Sequence, residues 1–376
     1  MMLLLAALLP SALRLGFSTV QYTVSSDQRR RAPAARLMAA PLAGGAQEEL
    51  DTDLFSDAVP ALGSAANQPR NVPAARLEGT GKPTVWSEFG ALAAETGAVN
   101  LGQGFPDWQP PEFVVEQAHA ALREGYHQYT RPAGHPSLVE VLATRYSAHL
   151  QRQVDPMAEV AITVGASQAL YLTLQALIDP GDEVVVLEPA FDLYYGQIML
   201  AGGKARPVAL SADEEARRWT LDEPALSRAL TPRTKLLILN SPHNPTGTVF
   251  TRAEMEQIAE LVRSHANLLV ISDEVYKYTV YGTGASHVHF ASLPGMFDRT
   301  VTLSSAGKTF SITGWQAGWC VGPPRLIKPI QLLLPFVQFC VSTPMQQALS
   351  RVLSLAEQPY VFIRLEITLY SCSRRG

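Results

Sequence analysis

Cysteine is scarce in this sequence. Three stand among 376 residues, Cys320, Cys340 and Cys372, widely spaced and without a C-x-x-C pair. Neither a disulfide framework nor a zinc site is therefore encoded, and the three read as ordinary reduced thiols. An excess of charge of either sign is lacking too: charged residues make up 17% of the chain and the formal net charge is -4. That excludes the basic surface a nucleic-acid binder requires. The apolar start, Met1 to Pro10, is too short to cross a bilayer, so no membrane partner is expected. Of eight histidines only His287-Val288-His289 forms a close pair. It reads as part of a loop with no third ligand nearby, so no metal is expected. No internal repeat is apparent. What remains, 47% hydrophobic residues over this length, describes a soluble globular chain with room for one large or two medium domains.

The first stretch differs in kind from the rest. Arg14 and the cluster Arg29-Arg30-Arg31 follow the apolar start, Arg36 lies in an Ala-rich segment, and Asp27 is the only acid before Glu48. Acid-poor, Arg- and Ala-containing leaders are typical of organelle import. A secretory signal, or a start placed upstream of a later Met, are the competing readings; the first lacks basic residues ahead of the apolar run. Residues 1–47 thus read as a leader to a plastid or mitochondrion. Residues 48–82, acidic and rich in Pro, Ala and Gly without periodicity, read as a disordered linker.

From Thr84 onward helix and strand patterns alternate. Lys235 to Leu239, Leu268 to Ile271 and Val301 to Leu303 are near-continuous apolar runs, as expected of parallel strands buried on both faces. Thr251-Arg252-Ala253-Glu254 is a capping box opening an amphipathic run through Met255, Ile258, Leu261 and Val262. Strand, helix and strand at short spacing require right-handed crossovers and a mainly parallel sheet covered by helices, an α/β fold. In such sheets ligands sit at the carboxyl ends of the strands.

Polar residues fall at those ends. The first run leads into Asn240-Ser241-Pro242-His243-Asn244-Pro245-Thr246-Gly247, the second into Asp273-Glu274-Val275-Tyr276, and the third into Ser304-Ser305-Ala306-Gly307-Lys308-Thr309. A lysine, a carboxylate and a phenol are the residue types that pyridoxal phosphate demands, as imine partner, ring-nitrogen partner and neighbour of the 3-oxygen. Alone, each has a plain structural explanation; Lys308 would be a solvated cation and Asp273 a loop residue. Separately, Gly165-Ala166-Ser167 follows the apolar run Val160 to Val164 and opens a helical stretch ending before Asp179-Pro180-Gly181. A helix start of this kind offers free N–H groups and a positive dipole end to a phosphate. Ser167 would be either helix cap or phosphate donor. The nucleotide pattern G-x-x-x-x-G-K-[ST] fails, because its first glycine would be residue 302, which is Thr302.

The ordered set of motifs resembles the class I/II aminotransferases of fold type I, nearest to the kynurenine, glutamine and methionine aminotransferase branch. It begins at Trp86-Ser87-Glu88-Phe89 and Asn100-Leu101-Gly102-Gln103-Gly104-Phe105-Pro106-Asp107, and passes through Gln128-Tyr129-Thr130, Gly165 to Leu170 and Glu188 to Asp192. The loops already quoted complete it, and it fades after about Tyr360. The resemblance implies an N-terminal arm over 83–109, a cofactor-binding large domain over 110–345, and the start of a truncated C-terminal domain with a divergent tail over 346–376. It makes Lys308 the Schiff-base lysine and proton shuttle, and Asp273 the partner of the pyridine nitrogen. Tyr276 and Asn244 would bind the 3-oxygen, Phe191 would stack on the ring, and Ala166, Ser167, Ser305 and Gln316 would surround the phosphate. Trp86 and Gly104 would line the substrate side, and Tyr129 would cross into the neighbouring site of a homodimer.

The implied activity is transfer of an amino group from an L-amino acid of kynurenine, glutamine, methionine or aromatic type to a 2-oxo acid. A cysteine-conjugate β-lyase side activity is a further implication. Two positions depart from the family pattern. Gln316 in Thr313-Gly314-Trp315-Gln316 stands where the family carries a cation, and Thr309 to Gly376 is too short for the small domain that supplies the carboxylate-binding arginine. Arg374 and Arg375 in the terminal tail are poor substitutes. The chain thus reads as a truncated gene model or splice form, and a non-catalytic relative kept for cofactor binding or dimerisation is the alternative.

Overall fold

The computed structural model describes residues 74–77, 85–100, 102, 104, 108–215, 218–280 and 286–356. All fall within one compact unit, Ala58–Gly376. The leader, most of the linker and the terminal tail after residue 356 lie outside the described residues, as do Gln103 and residues 105–107 of the N-terminal motif.

In chain order the helices α1 (Val85–Thr96), α2 (Glu112–Arg123) and α3 (Pro136–Leu150) lead to β1 (Val160–Val164) and α4 (Gly165–Leu177). Then follow β2 (Glu183–Glu188), α5 (Leu193–Leu200), β3 (Lys204–Ala209), the small hairpin β4 (Ser211–Asp213) and β5 (Arg218–Thr220), and α6 (Glu223–Ala229). The second half comprises β6 (Thr234–Asn240), α7 (Arg252–Ser264), β7 (Leu269–Asp273), β8 (Thr300–Ser305), the single turn α8 (Ala306–Thr309), β9 (Ala317–Val321), α9 (Pro324–Val337) and α10 (Thr343–Leu355).

The main sheet has seven strands in the order β1-β9-β8-β7-β6-β2-β3. Pairings from β3 through β2, β6 and β7 to β8 are parallel, and β9 runs antiparallel to both β8 and β1. The expected mainly parallel α/β sheet is therefore present, with one reversed strand.

Period-two alternation explains why its strands are apolar throughout. Val184, Val186, Leu236 and Ile238 point into a core shared with α4, α5 and α9, while Val185, Leu187, Leu237 and Leu239 point into the opposite core shared with α6 and α7. A third cluster packs α3 and α10 against β1 and β9 through Leu142, Tyr146, Val160, Ile162, Trp319 and Leu349.

The capping box forms as expected. Glu254 N–H donates to Thr251 Oγ1 at 3.2 Å, and Thr251 N–H donates to Glu254 Oε2 at 2.8 Å. Met255, Ile258, Ala259 and Val262 are the buried face of α7. Cys320 is buried in β9 and its thiol is pushed up to about 12 by burial; Cys340 is free and partly exposed. Among the described residues no helix is long and apolar enough to cross a membrane.

Candidate active site

Strands β6, β7 and β8 lie side by side, so their carboxyl-terminal residues Asn240, Asp273 and Ser305 meet at one sheet edge. The start of α4 and the first residues of α5 face the same edge, and together they enclose a cavity of about 400 Å³, a size suited to a small-molecule ligand. Trp86, Gly104, Ala166, Ser167, Phe191, Asn244, Asp273, Tyr276, Ser305, Lys308 and Gln316 all line it. Of the residues singled out in the sequence only Tyr129 is elsewhere. It is 81% exposed and packs edge-on against Phe339, with ring centroids 4.8 Å apart.

Lys308 lies in the one-turn helix α8 directly after β8, and its Nζ donates to the carbonyl oxygen of Gly104. Its amine sits below the ordinary lysine range because burial disfavours the charged form. Tyr276 approaches the same amine, with Lys308 Nζ 5.9 Å from the ring centre. A Cβ on Gly104 would lie 3.5 Å from Lys308 Nζ and 3.9 Å from the Tyr276 hydroxyl, so that backbone segment closes directly over the pair.

Asp273 ends β7. Its Oδ2 accepts from the Tyr194 hydroxyl at 2.7 Å and its Oδ1 from Val275 N–H at 3.3 Å. Its carboxyl lies above the ordinary aspartate range, chiefly through burial. Burial, with the Asp273 charge, likewise raises the Tyr276 phenol. Asn240 Nδ2 donates to the Asp273 carbonyl at 2.9 Å, and Asn244 N–H donates to Asn240 Oδ1 at 2.7 Å, which ties the loop after β6 to the end of β7. Phe191 meets Trp86 at 6.5 Å and 63°, forming an aromatic wall.

The other end of the cavity is a helix terminus. Gly165 opens α4 with φ +66°, and its N–H donates to the Gln316 carbonyl at 2.8 Å. The first-turn N–H groups of Ala166 and Ser167 have no acceptor within the helix, and both residues line the cavity, an arrangement suited to an anion. The helix-cap reading of Ser167 is corrected. Val164 is the N-cap, without a side-chain bond, and Ser167 lies inside the first turn. Gln316, in the left-handed region at φ 49°, turns its Nε2 to the Thr313 carbonyl at 2.6 Å. Lys308 is the one basic side chain among the described residues lining the cavity.

The expectation that the histidine pair has no third group near it is also corrected. Glu274 Oε2 lies 2.5 Å from His289 Nδ1 and 3.2 Å from His287 Nε2. These potential ligand atoms all lie within 4.8 Å of one another. The tertiary fold brings them together, a contact that spacing does not reveal. Of the two imidazoles, His289 is the one hydrogen-bonded to Glu274. Glu274 Oε1 already accepts from Ser272 Oγ at 3.0 Å and Phe290 N–H at 3.3 Å, and burial holds the His287 imidazole below its ordinary value.

Among the cavity residues that went unassigned in the sequence are Tyr194 and Asn240. Tyr194 had a faint signal, one helical turn beyond Phe191. Asn240 had only its place at the end of an apolar run.

This mainly parallel sheet with its helices is the α/β fold of the fold-type-I transaminases. The chain belongs to the aminotransferase class I and II family, whose sequence model matches residues 96–362. It is 42% identical over 307 residues to kynurenine–oxoglutarate transaminase of Dictyostelium discoideum, covering 78% of this chain and 70% of that protein. To kynurenine–oxoglutarate transaminase 3 of Mus musculus it is 45% identical over 286 residues, spanning 74% of this chain but only 62% of the mouse protein's length. Among solved structures, N-succinyldiaminopimelate aminotransferase from Mycobacterium tuberculosis superposes with a TM-score of 0.74 at 38% identity, covering 81% of this chain and 77% of that one.

Proposed function

We propose that this chain transfers amino groups between an L-amino acid and a 2-oxo acid, with pyridoxal 5′-phosphate held at Lys308. One observation carries the reading: an amine of lowered basicity, a buried carboxylate and a phenol share a cavity whose far end is a helix N-terminus. The donor set fits the group. Ala166, Ser167, Ser305 and Gln316 would hold its phosphate, Asp273 its ring nitrogen, Tyr276 and Asn244 its 3-oxygen, and Phe191 its ring face. When bound, this cofactor supplies an aldehyde for reversible imine formation and a cationic ring that accepts electrons.

The protein's own part is positioning and proton transfer. Lys308, with basicity lowered by burial, is neutral in a larger fraction of molecules than a solvated lysine, so it can take and return the substrate α-proton. Asp273 would offer its carboxylate to the ring nitrogen. Trp86 and Phe191 shield the reacting side from water, and Gly104 confines the Lys308 amine through its carbonyl.

The similar kynurenine–oxoglutarate transaminases support kynurenine as donor and oxoglutarate as acceptor, and the apolar wall of the cavity agrees with kynurenine. Glutamine, methionine and aromatic donors belong in the same substrate panel, with β-elimination from cysteine conjugates as a side reaction. A homodimer is part of the proposal. Tyr129, exposed and outside its own cavity, would serve the neighbouring one.

Borohydride reduction of the loaded chain followed by peptide mass spectrometry should find the adduct on Lys308, and Lys308→Ala should abolish both adduct and transamination. Unchanged turnover in that variant would overturn the proposal. Because no arginine lines the cavity among the described residues, a second reading stands beside it. A chain that binds pyridoxal phosphate at Lys308 yet exchanges no amino group with the whole panel would be a cofactor-binding or dimerisation module.

A further inference from the structure

Behind the cavity carboxylate stands a phenol to which the scheme above gives no part. Tyr194, in the first turn of α5, is only 3% exposed, and its hydroxyl donates to Asp273 Oδ2 at 2.7 Å. Its ring is fixed edge-on by Phe191, at 5.8 Å and 87°. The bond spans 79 residues of sequence, so it locks the start of α5 to the end of β7. The remaining oxygen, Oδ1, receives only a longer bond from its own turn, Val275 N–H at 3.3 Å.

We propose that Tyr194 is a positioning residue for the reaction: it clamps the Asp273 carboxylate in its ionised form and leaves Oδ1 as the oxygen available to a protonated ring nitrogen. The inference rests on the pyridoxal-phosphate reading and deepens it.

The need for such a donor follows from the surroundings. Asp273 is desolvated and stands next to the buried Glu274, and both conditions favour its neutral form. A neutral carboxyl could not act as counter-ion to a pyridinium. The titratable groups around it are Tyr194, Tyr276 and Glu274, with Lys308 lining the same cavity. Of the phenols, only Tyr194 bonds to the carboxylate. Its own proton is secure, because burial and the Asp273 charge hold its pKa well above the ordinary tyrosine value. Across the neutral range it is therefore always a donor. Glu274, one residue on, is served by a separate set of donors on the far side of the turn, so the two adjacent carboxylates do not compete.

The test compares the wild-type chain with Tyr194→Phe, Asp273→Asn and the double variant, each loaded with pyridoxal 5′-phosphate. Phenylalanine keeps the ring and its packing and removes only the hydroxyl. Tyr194→Phe should melt near the wild-type temperature yet bind the cofactor about tenfold more weakly, the value of one charged hydrogen bond. The pH midpoint of the visible chromophore should also rise, by about one unit, because a less cationic ring withdraws less charge from the Lys308 linkage. In the Asp273→Asn background the same substitution should add nothing, since Tyr194 acts through that carboxylate.

Wild-type affinity and midpoint in Tyr194→Phe would overturn the inference, as would a lowered melting temperature with an unmoved midpoint. If the Phe variant does not fold, an Asp273→Asn chain with the wild-type midpoint overturns it instead. Failure of the wild-type arm itself to take up cofactor at Lys308 would sink the underlying reading and this inference with it.

Discussion

Gln316 stands where the resemblance implies a cation. It lines the proposed phosphate end with a neutral amide, its backbone carbonyl already engaged by Gly165 N–H and its side chain turned to Thr313. Anion binding there rests on the helix dipole and neutral donors, without a fixed cation to add a charge-assisted bond. Gln316→Lys should therefore tighten pyridoxal phosphate binding by roughly ten- to hundredfold, equivalent to about 1–3 kcal/mol. Equilibrium titration of the visible band checks this, and an unchanged dissociation constant would mean that the helix terminus alone suffices. Most of the chemistry at this scale was legible beforehand. Lysine, aspartate and tyrosine drew notice because they end neighbouring apolar runs within an ordered set of motifs; alone, each would be ordinary. Tyr194 did not, because a buried tyrosine in a helix is ordinary until its hydroxyl is seen on Asp273.

At the scale of elements, the phosphate end depends on how closely β9 passes beneath the start of α4. A Cβ added at Gly318 would lie 2.4 Å from the Gly165 carbonyl carbon and 2.7 Å from Ala166 N, both rigid backbone atoms. Gly318→Ala should consequently push α4 away from the strand, costing about 1–3 kcal/mol of stability and weakening cofactor binding together. Urea unfolding and cofactor titration on the same variant check it; wild-type values in both would refute the close approach. Periodicity made the helices and parallel strands visible in the sequence. It could not show that β9 is reversed, since an antiparallel strand buried on both faces has the same apolar composition as a parallel one. Nor could it place Glu274 against His287 and His289, because that contact depends on the path of the chain between them.

For the molecule as a whole, the buried histidines set the response to acid. His149 is lowered to about 3 and His243 to about 4, in both cases mainly by burial. A base whose folded pKa is depressed contributes no pH dependence above the unfolded value of 6.5. Below it, the unfolded chain binds protons that the native state refuses. Unfolding free energy should thus fall as the pH drops from 6.5 toward 4 and level off near 3. Glu274, held well below 4.5 by its histidine partners, adds a loss of its own only under still more acidic conditions. Denaturant midpoints measured from pH 7.5 to 4 check the sign. Replacing His149 and His243 by glutamine should flatten the curve, and an equally steep one would assign the acid sensitivity elsewhere.

The amino-acid sequence by itself determined the α/β class, the buried strands and the residue types gathered at their ends. These follow from local patterns of burial and from the order of motifs along the chain. Only the tertiary structure decided that three strand ends adjoin, that α4 aims its free N–H groups at the same 400 Å³, that Tyr129 lies outside it, and that Tyr194 supports Asp273. Those are relations between residues far apart in the chain, and the free energy that fixes them comes from packing shared by the whole sheet rather than from any segment of it.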